Sequence, residues 1–192
     1  MTFGGPMKRI FISFALLAIA NFPAYALAQQ TTPQQKTGES MEMKHSGRPD
    51  SPQWRQLSSL VGQWQGDAME GGMNHGVTLE VRMTGDGSAI MHLLGKDTPM
   101  EMLTVFHADG PVLLATHYCA AHNQPRMQMI PISGLNQIEF RFKDGTSIGA
   151  DDGHMVGLIV TFIDADHHDE TWIYQDKGKE LPGTVFHYSR KK

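Results

Sequence analysis

From Gly62 onward the chain alternates apolar and polar residues in short runs, each cut off by Gly, Asp or Pro. Residues 76–84 set Val77, Leu79, Val81 and Met83 against Thr78, Glu80 and Arg82. Residues 137–142 set Ile138, Phe140 and Phe142 against Glu139 and Arg141. Period two bounded by turn residues is the pattern of half-buried strands. The runs fall at 63–68, 76–84, 88–94, 100–107, 112–119, 126–132, 137–142, 155–163, 171–175 and 184–190. Connectors such as "TGDG" and "ADG" join neighbours within a few residues, too short for a crossover helix. The strands are therefore expected to be antiparallel and to meander. An all-β, closed up-and-down barrel of about ten strands leaves no exposed edge and is the expected architecture. A two-sheet sandwich is the alternative the same pattern allows.

Just before this series, Trp54, Leu57, Leu60 and Val61 stand at helical spacing, with Pro52 to open the segment and Gly62 to stop it. So short a helix does not hold alone and must dock. A lid over one end of the barrel is its expected role.

The N-terminus has a different character. Lys8 and Arg9 precede an apolar run over residues 10–20, and Ala26-Leu27-Ala28 offers a small-residue cleavage site. Together these read as a secretory signal over residues 1–28. The run is shorter than the ~20 apolar residues of a spanning helix, and Asn21 and Pro23 interrupt it, so stable membrane insertion is not expected. Residues 29–52 are rich in Gln, Thr, Ser, Lys and Pro and read as a flexible polar linker. Met41, Met43 and His45 within it are soft-metal ligand types but lack a scaffold. The barrel domain then covers residues 53–192, in the periplasm or outside the cell.

The formal net charge is −4 and no basic block follows the signal, which argues against a nucleic-acid partner. Cys119 is the single cysteine, so no intrachain disulfide can form and stability must come from packing. Its apolar, aromatic neighbourhood fits a small buried hydrophobe.

Gly62-x-Trp64 opens the first strand, and Arg190 lies in the last, in phase with Phe186 and Tyr188. With "LVGQWQG", "TVFHADG", "THYCAAHNQPRM", "VTFIDADHHDETW" and "FHYSRKK", this resembles uncharacterised bacterial exported proteins of the lipocalin-like, or calycin, type. The resemblance covers about residues 53 to 192. It implies that Trp64 packs at the closed end of the barrel under the guanidinium of Arg190, as a structural latch. It implies no activity. Nitrobindin barrels are more distantly similar, and there a late-strand histidine holds haem. His187 is the candidate by position, but it alternates against Phe186, Tyr188 and Arg190, so it faces out if they face in.

The densest polar stretch runs through Thr116, His117, Tyr118, Cys119, His122, Asn123, Gln124 and Arg126. Alternation puts His117 and Cys119 on one face, Thr116 and Tyr118 on the other. Two readings stand. The stretch is either a rim turn whose polar groups cap backbone, with Arg126 paired to an aspartate, or a ligand-recognition rim of His117, Tyr118, Asn123 and Arg126. A second cluster, Asp164, Asp166, His167, His168 and Asp169 with His154, is either a metal site or a solvated hairpin loop. His75, His92 and His107 stand alone and are expected on strand surfaces.

The chain has no nucleophile elbow, phosphate loop or His-Glu-x-x-His, and no catalytic residue is assigned. The expected function is non-catalytic binding of a small, mainly apolar ligand in the barrel. The alternative is a packed structural or protein-interaction barrel. Haem, a metal or an enzyme activity are lesser readings, and no cofactor or oligomeric state follows from the residues.

Overall fold

The computed structural model describes residues 49–70, 73–131 and 136–192. The signal, residues 29–48 of the polar linker and the Met41/Met43/His45 group lie outside the described residues, and the linker's last residues, 49–52, lead into the first helix. Helix α1, Pro52–Ser59, begins at Ser51, whose hydroxyl accepts the Trp54 N–H at 3.0 Å, with Pro52 in the first turn. Its Trp54 and Leu57 are buried.

The strands are β1 (Gly62–Glu70), β2 (Met73–Thr84), β3 (Ala89–Leu94), β4 (Met102–Asp109), β5 (Val112–Tyr118), β6 (Gln124–Ile130), β7 (Gln137–Thr146), β8 (His154–Phe162), β9 (His167–Asp176), β10 (Lys179–Glu180) and β11 (Thr184–Arg190). All pairings are antiparallel. β1 to β9 pair in chain order, β9 pairs β11, and β11 pairs β1. The sheet thus closes into a ten-stranded barrel of the calycin-like kind. The two-residue β10 folds back antiparallel on the end of β9 and adds no stave. Among the described residues no helix is long and apolar enough to cross a membrane.

Inward positions recur at every second residue. Trp64, Leu79, Ile90, Phe106, Ala115, Met127, Phe140, Leu158 and Trp172 belong to one core, which α1 joins through Trp54 and Leu57. Trp64 and Arg190 are register partners, and the guanidinium carbon lies 4.0 Å from the indole centroid. Arg190 also donates to the carbonyl oxygens of Ser59 and Val61, each at 2.9 Å, and of Ala165 at 3.0 Å. One side chain thereby ties the helix end, the first strand and the β8–β9 turn together. Gly62 makes room for it: φ is 145°, and a Cβ there would lie 2.6 Å from Arg190 Nη1. Gly66 is needed for a different reason, since its Cβ would meet the His187 carbonyl oxygen at 2.0 Å where β1 and β11 close the barrel.

The largest departure from the expected strands is at β9. It begins at His167 rather than at 171, so "HHDE" is strand, not loop. That extension decides what lines the barrel.

Candidate functional site

On β9 the inward phase set by Trp172 runs back through Glu170 to His168. This places a carboxylate and an imidazole in the lumen, both 0% exposed. On the facing wall His92 of β3, Thr104 of β4 and His117 of β5 are consecutive register partners and all point inward. The two sets meet across the barrel. His92 Nε2 donates to Glu170 Oε1 at 2.8 Å, and Trp172 Nε1 donates to Glu170 Oε2 at 2.9 Å. His168 Nε2 approaches the same Oε1 at 3.3 Å. The His117 ring lies 4.8 Å, centroid to centroid, from Trp172, and its Nδ1 shares a 2.9 Å hydrogen bond with Thr104 Oγ1. Tyr188 stacks on His168 at 4.9 Å, and Trp64 meets the same ring edge-on at 4.4 Å.

Burial pushes the Glu170 carboxyl upward. The charge of His92 and the hydrogen bonds from His168 and His92 outweigh it, so the group is held below the usual carboxylate range and is ionised. Burial, helped by the charge on His92 and opposed by Glu170, lowers His117 from its ordinary 6.5 to about 4. His117 is therefore neutral at pH 7. Burial, then Glu170, raises the Tyr188 hydroxyl far above its ordinary range, so it keeps its proton. Four buried atoms of this group have no hydrogen-bond partner among the described residues: His92 Nδ1, His117 Nε2, His168 Nδ1 and the Tyr188 hydroxyl.

Of the four candidate binding residues, only His117 reaches the lumen. Tyr118 follows it on the outer face, 48% exposed. Arg126 is also outward and forms a two-pronged pair with Asp144, Nη2 to Oδ2 at 2.6 Å and Nε to Oδ1. Asn123 is buried in the rim turn, where its Nδ2 donates to the Gly153 carbonyl at 2.8 Å. Cys119 is half-buried.

The acidic cluster splits. Asp164 accepts from His167 Nδ1 at 2.9 Å in an exposed turn, while His168 turns inward. His154 stands at the opposite end of β8, paired in register with Gln175. Among the described residues no three His, Cys, Asp or Glu are grouped to hold a metal ion. His187 faces out and its Nδ1 donates to Asp169 at 2.8 Å. It lines an open trough of about 670 Å³ on the outer surface of β1, β2, β9 and β11.

His92 departs from its expected surface position. It lies on the inner face, opposite Val81 and Thr104, because the phase of β3 follows Ile90 and Leu94. Of the other isolated histidines, His75 is exposed and His107 half-buried. The alternation was the signal that could have found His92 and Glu170: each is two residues from a strongly apolar inward neighbour.

No family model matches the chain, and no curated protein does. Among solved structures the chain is similar to Rv2717c from M. tuberculosis, at 12% identity and a TM-score of 0.53, over 75% of this chain and 100% of that one. It is also similar to a protein of unknown function of the DUF3598 family from Nostoc punctiforme, at 14% identity and a TM-score of 0.49. That match covers 70% of this chain and 49% of the other, so this chain spans about half its length. The likeness to Rv2717c is one of fold alone.

Proposed function

We propose that the protein is an exported, non-catalytic binding protein that holds a small, mainly apolar ligand in its barrel, with its polar contacts in the lumen. The observation that carries this reading is the ionised Glu170 at the barrel centre, surrounded by buried imidazole and hydroxyl atoms that lack partners. Desolvating such a charge costs several kcal/mol, and well-packed apolar replacements of buried ionic groups are often neutral or stabilising. A barrel that needed only to fold could replace the whole His92–Glu170 group by well-packed apolar side chains, so its presence points to a role beyond packing. Unpartnered buried polar atoms each call for an occupant or a role. Half-buried Val77, Met102, Met155 and Phe186 pack against the core and supply apolar wall for the rest of a ligand. Export is supported by Lys8, Arg9, the apolar run after them and Ala26-Leu27-Ala28.

A packed structural barrel is the second reading. It is favoured by side chains that meet across the lumen, His92 with Glu170 and Phe106 with Phe140 at 5.4 Å. Thermal-shift screening of a broad lipid and metabolite panel separates the two. Binding raises the melting temperature with ligand concentration. A flat response across the panel would favour the packed barrel.

A further inference from the structure

Taking the barrel as a binding protein, as proposed above, we infer that the lumen opens to solvent and to its ligand through a slot between β7 and β8, with Asn123 as the latch of this gate. The strand pairing leaves the slot. β7 and β8 are register partners only from Gln137 to Arg141 and from Gly157 to Thr161. Beyond Arg141 the strands part. β7 runs on to Thr146 paired with β6, while β8 starts at His154 paired with β9. By contrast, β1 and β2 are partnered along the whole of β1. Register shifts between Met155 and Gly157 and between Arg126 and Met127 lie at the base of the slot, where such irregularities bend a strand away from its neighbour. Connectors of an antiparallel meander alternate between the ends of the barrel. Residues 119–123 and 147–153 therefore lie at the same end, opposite α1 and the β8–β9 turn that Arg190 clamps.

Side chains fill the slot where the ladder is missing. The Phe142 ring of β7 lies 4.7 Å from the His154 ring of β8, centroid to centroid. Phe142 is 38% exposed, so it stands in the wall as a plug and not in the core. From the β5–β6 turn, Asn123 reaches past β7 and donates Nδ2 to the Gly153 carbonyl oxygen at 2.8 Å. Tyr174 of β9 closes over the same glycine, whose Cβ, if present, would lie 2.7 Å from the Tyr174 Cζ. The Asn123 side chain is buried, and this is its one hydrogen bond among the described residues, since Oδ1 has no partner. One neutral hydrogen bond contributes little net stability, so it can break while the barrel stays folded. Both connectors hold a non-glycine residue in the left-handed region, His122 at φ 63° and Ser147 at φ 56°. Such conformations persist only where surrounding contacts hold them, so releasing the latch frees both connectors.

Behind the plug the way is apolar. Met127 is the register partner of Phe142, and Met155 of Tyr174. Flexible thioethers yield to an entering apolar body. One inward step deeper, Leu158 pairs with Trp172, whose indole N–H is held by Glu170.

The test needs no ligand, so it fails separately from the binding reading. Hydrogen exchange of the indole Nε1–H groups is measured by NMR on residues 29–192. Trp172 reports the lumen behind the slot, and Trp64, bonded to the Leu60 carbonyl oxygen, reports the α1 end. Asn123→Ala and Phe142→Ala should each speed exchange at Trp172 at least about tenfold more than at Trp64. Thr98→Ala removes a hydroxyl bonded to the Gly95 carbonyl oxygen in the β3–β4 connector, at the same end, and should speed neither. Equal acceleration at the two indoles would make Asn123 and Phe142 ordinary packing residues and overturn the gate. So would exchange at Trp172 that neither variant changes, or that Thr98→Ala raises as much. If Asn123→Ala does not fold, Phe142→Ala decides. Selective acceleration at Trp172 together with a flat thermal-shift panel would overturn the binding reading and leave the gate standing.

Discussion

His92 on β3 and Glu170 on β9 are hydrogen-bonded across the lumen at 2.8 Å, although three strands, β2, β1 and β11, lie between them around the wall. The bond braces opposite sides of the barrel, and the same carboxylate takes the Trp172 N–H. Removing one partner of such a buried group is costly because the other is left uncompensated. Glu170→Ala should therefore lower the unfolding free energy by about 3–5 kcal/mol. Urea denaturation checks this, and a loss below about 1 kcal/mol would mean that the charge is not buried as described.

Trp64 and Arg190 predict a second, separable loss. The guanidinium covers the indole and donates to three carbonyl oxygens. The indole N–H in turn donates to the Leu60 carbonyl at 2.8 Å. Arg190→Ala should cost about 2–3 kcal/mol and expose the α1 end, seen as a red shift in tryptophan emission. Arg190→Lys should recover only part, because an ammonium lacks the planar fork that reaches Ser59 and Val61 together.

Arg126 should behave differently. It and Asp144 pair on the outer surface, where solvent screens the attraction. Arg126→Ala is expected to leave both the melting temperature and ligand affinity unchanged. A loss of affinity with the fold intact would move recognition from the lumen to the rim, to Tyr118 and Arg126.

Acid should weaken the fold through His117. Its folded pKa of about 4 lies below the ordinary 6.5. The unfolded chain binds the proton more readily between those values, so stability is complete above about pH 6.5 and falls as the pH drops toward 4. The contribution is on the order of 3 kcal/mol. Glu170, also lowered, adds a loss of the same sign below the ordinary carboxylate range. Urea midpoints measured across this window should decline with acid, and His117→Gln should flatten the decline above pH 4.

The strand series was readable from the chain because it rests on local alternation, whereas the Trp64–Arg190 partnership was reached through the resemblance that Gly62-x-Trp64 and Arg190 carry. The lumen cluster was not. "DADHHDE" is hydrophilic enough to read as a loop, yet antiparallel pairing with β8 and β11 carries its second half into the barrel. Residue type alone puts His92 on the surface, since only the strand alternation, and nothing else near it in sequence, points to a buried imidazole. Its partner is 78 residues away and meets it only when the sheet closes. Tyr118 and Arg126 are recognition residues by type, but alternation carries both to the outer face, while His117 of that stretch turns into the lumen.

Native mass spectrometry of the protein purified from its own host tests the binding proposal most directly. The account predicts a non-covalent mass increment of a small organic molecule on the wild-type chain. That increment should be lost or strongly reduced in folded Thr104→Val or His117→Phe protein and retained in Arg126→Ala. A wild-type barrel that is consistently empty, and that takes up nothing from the host extract, would contradict it.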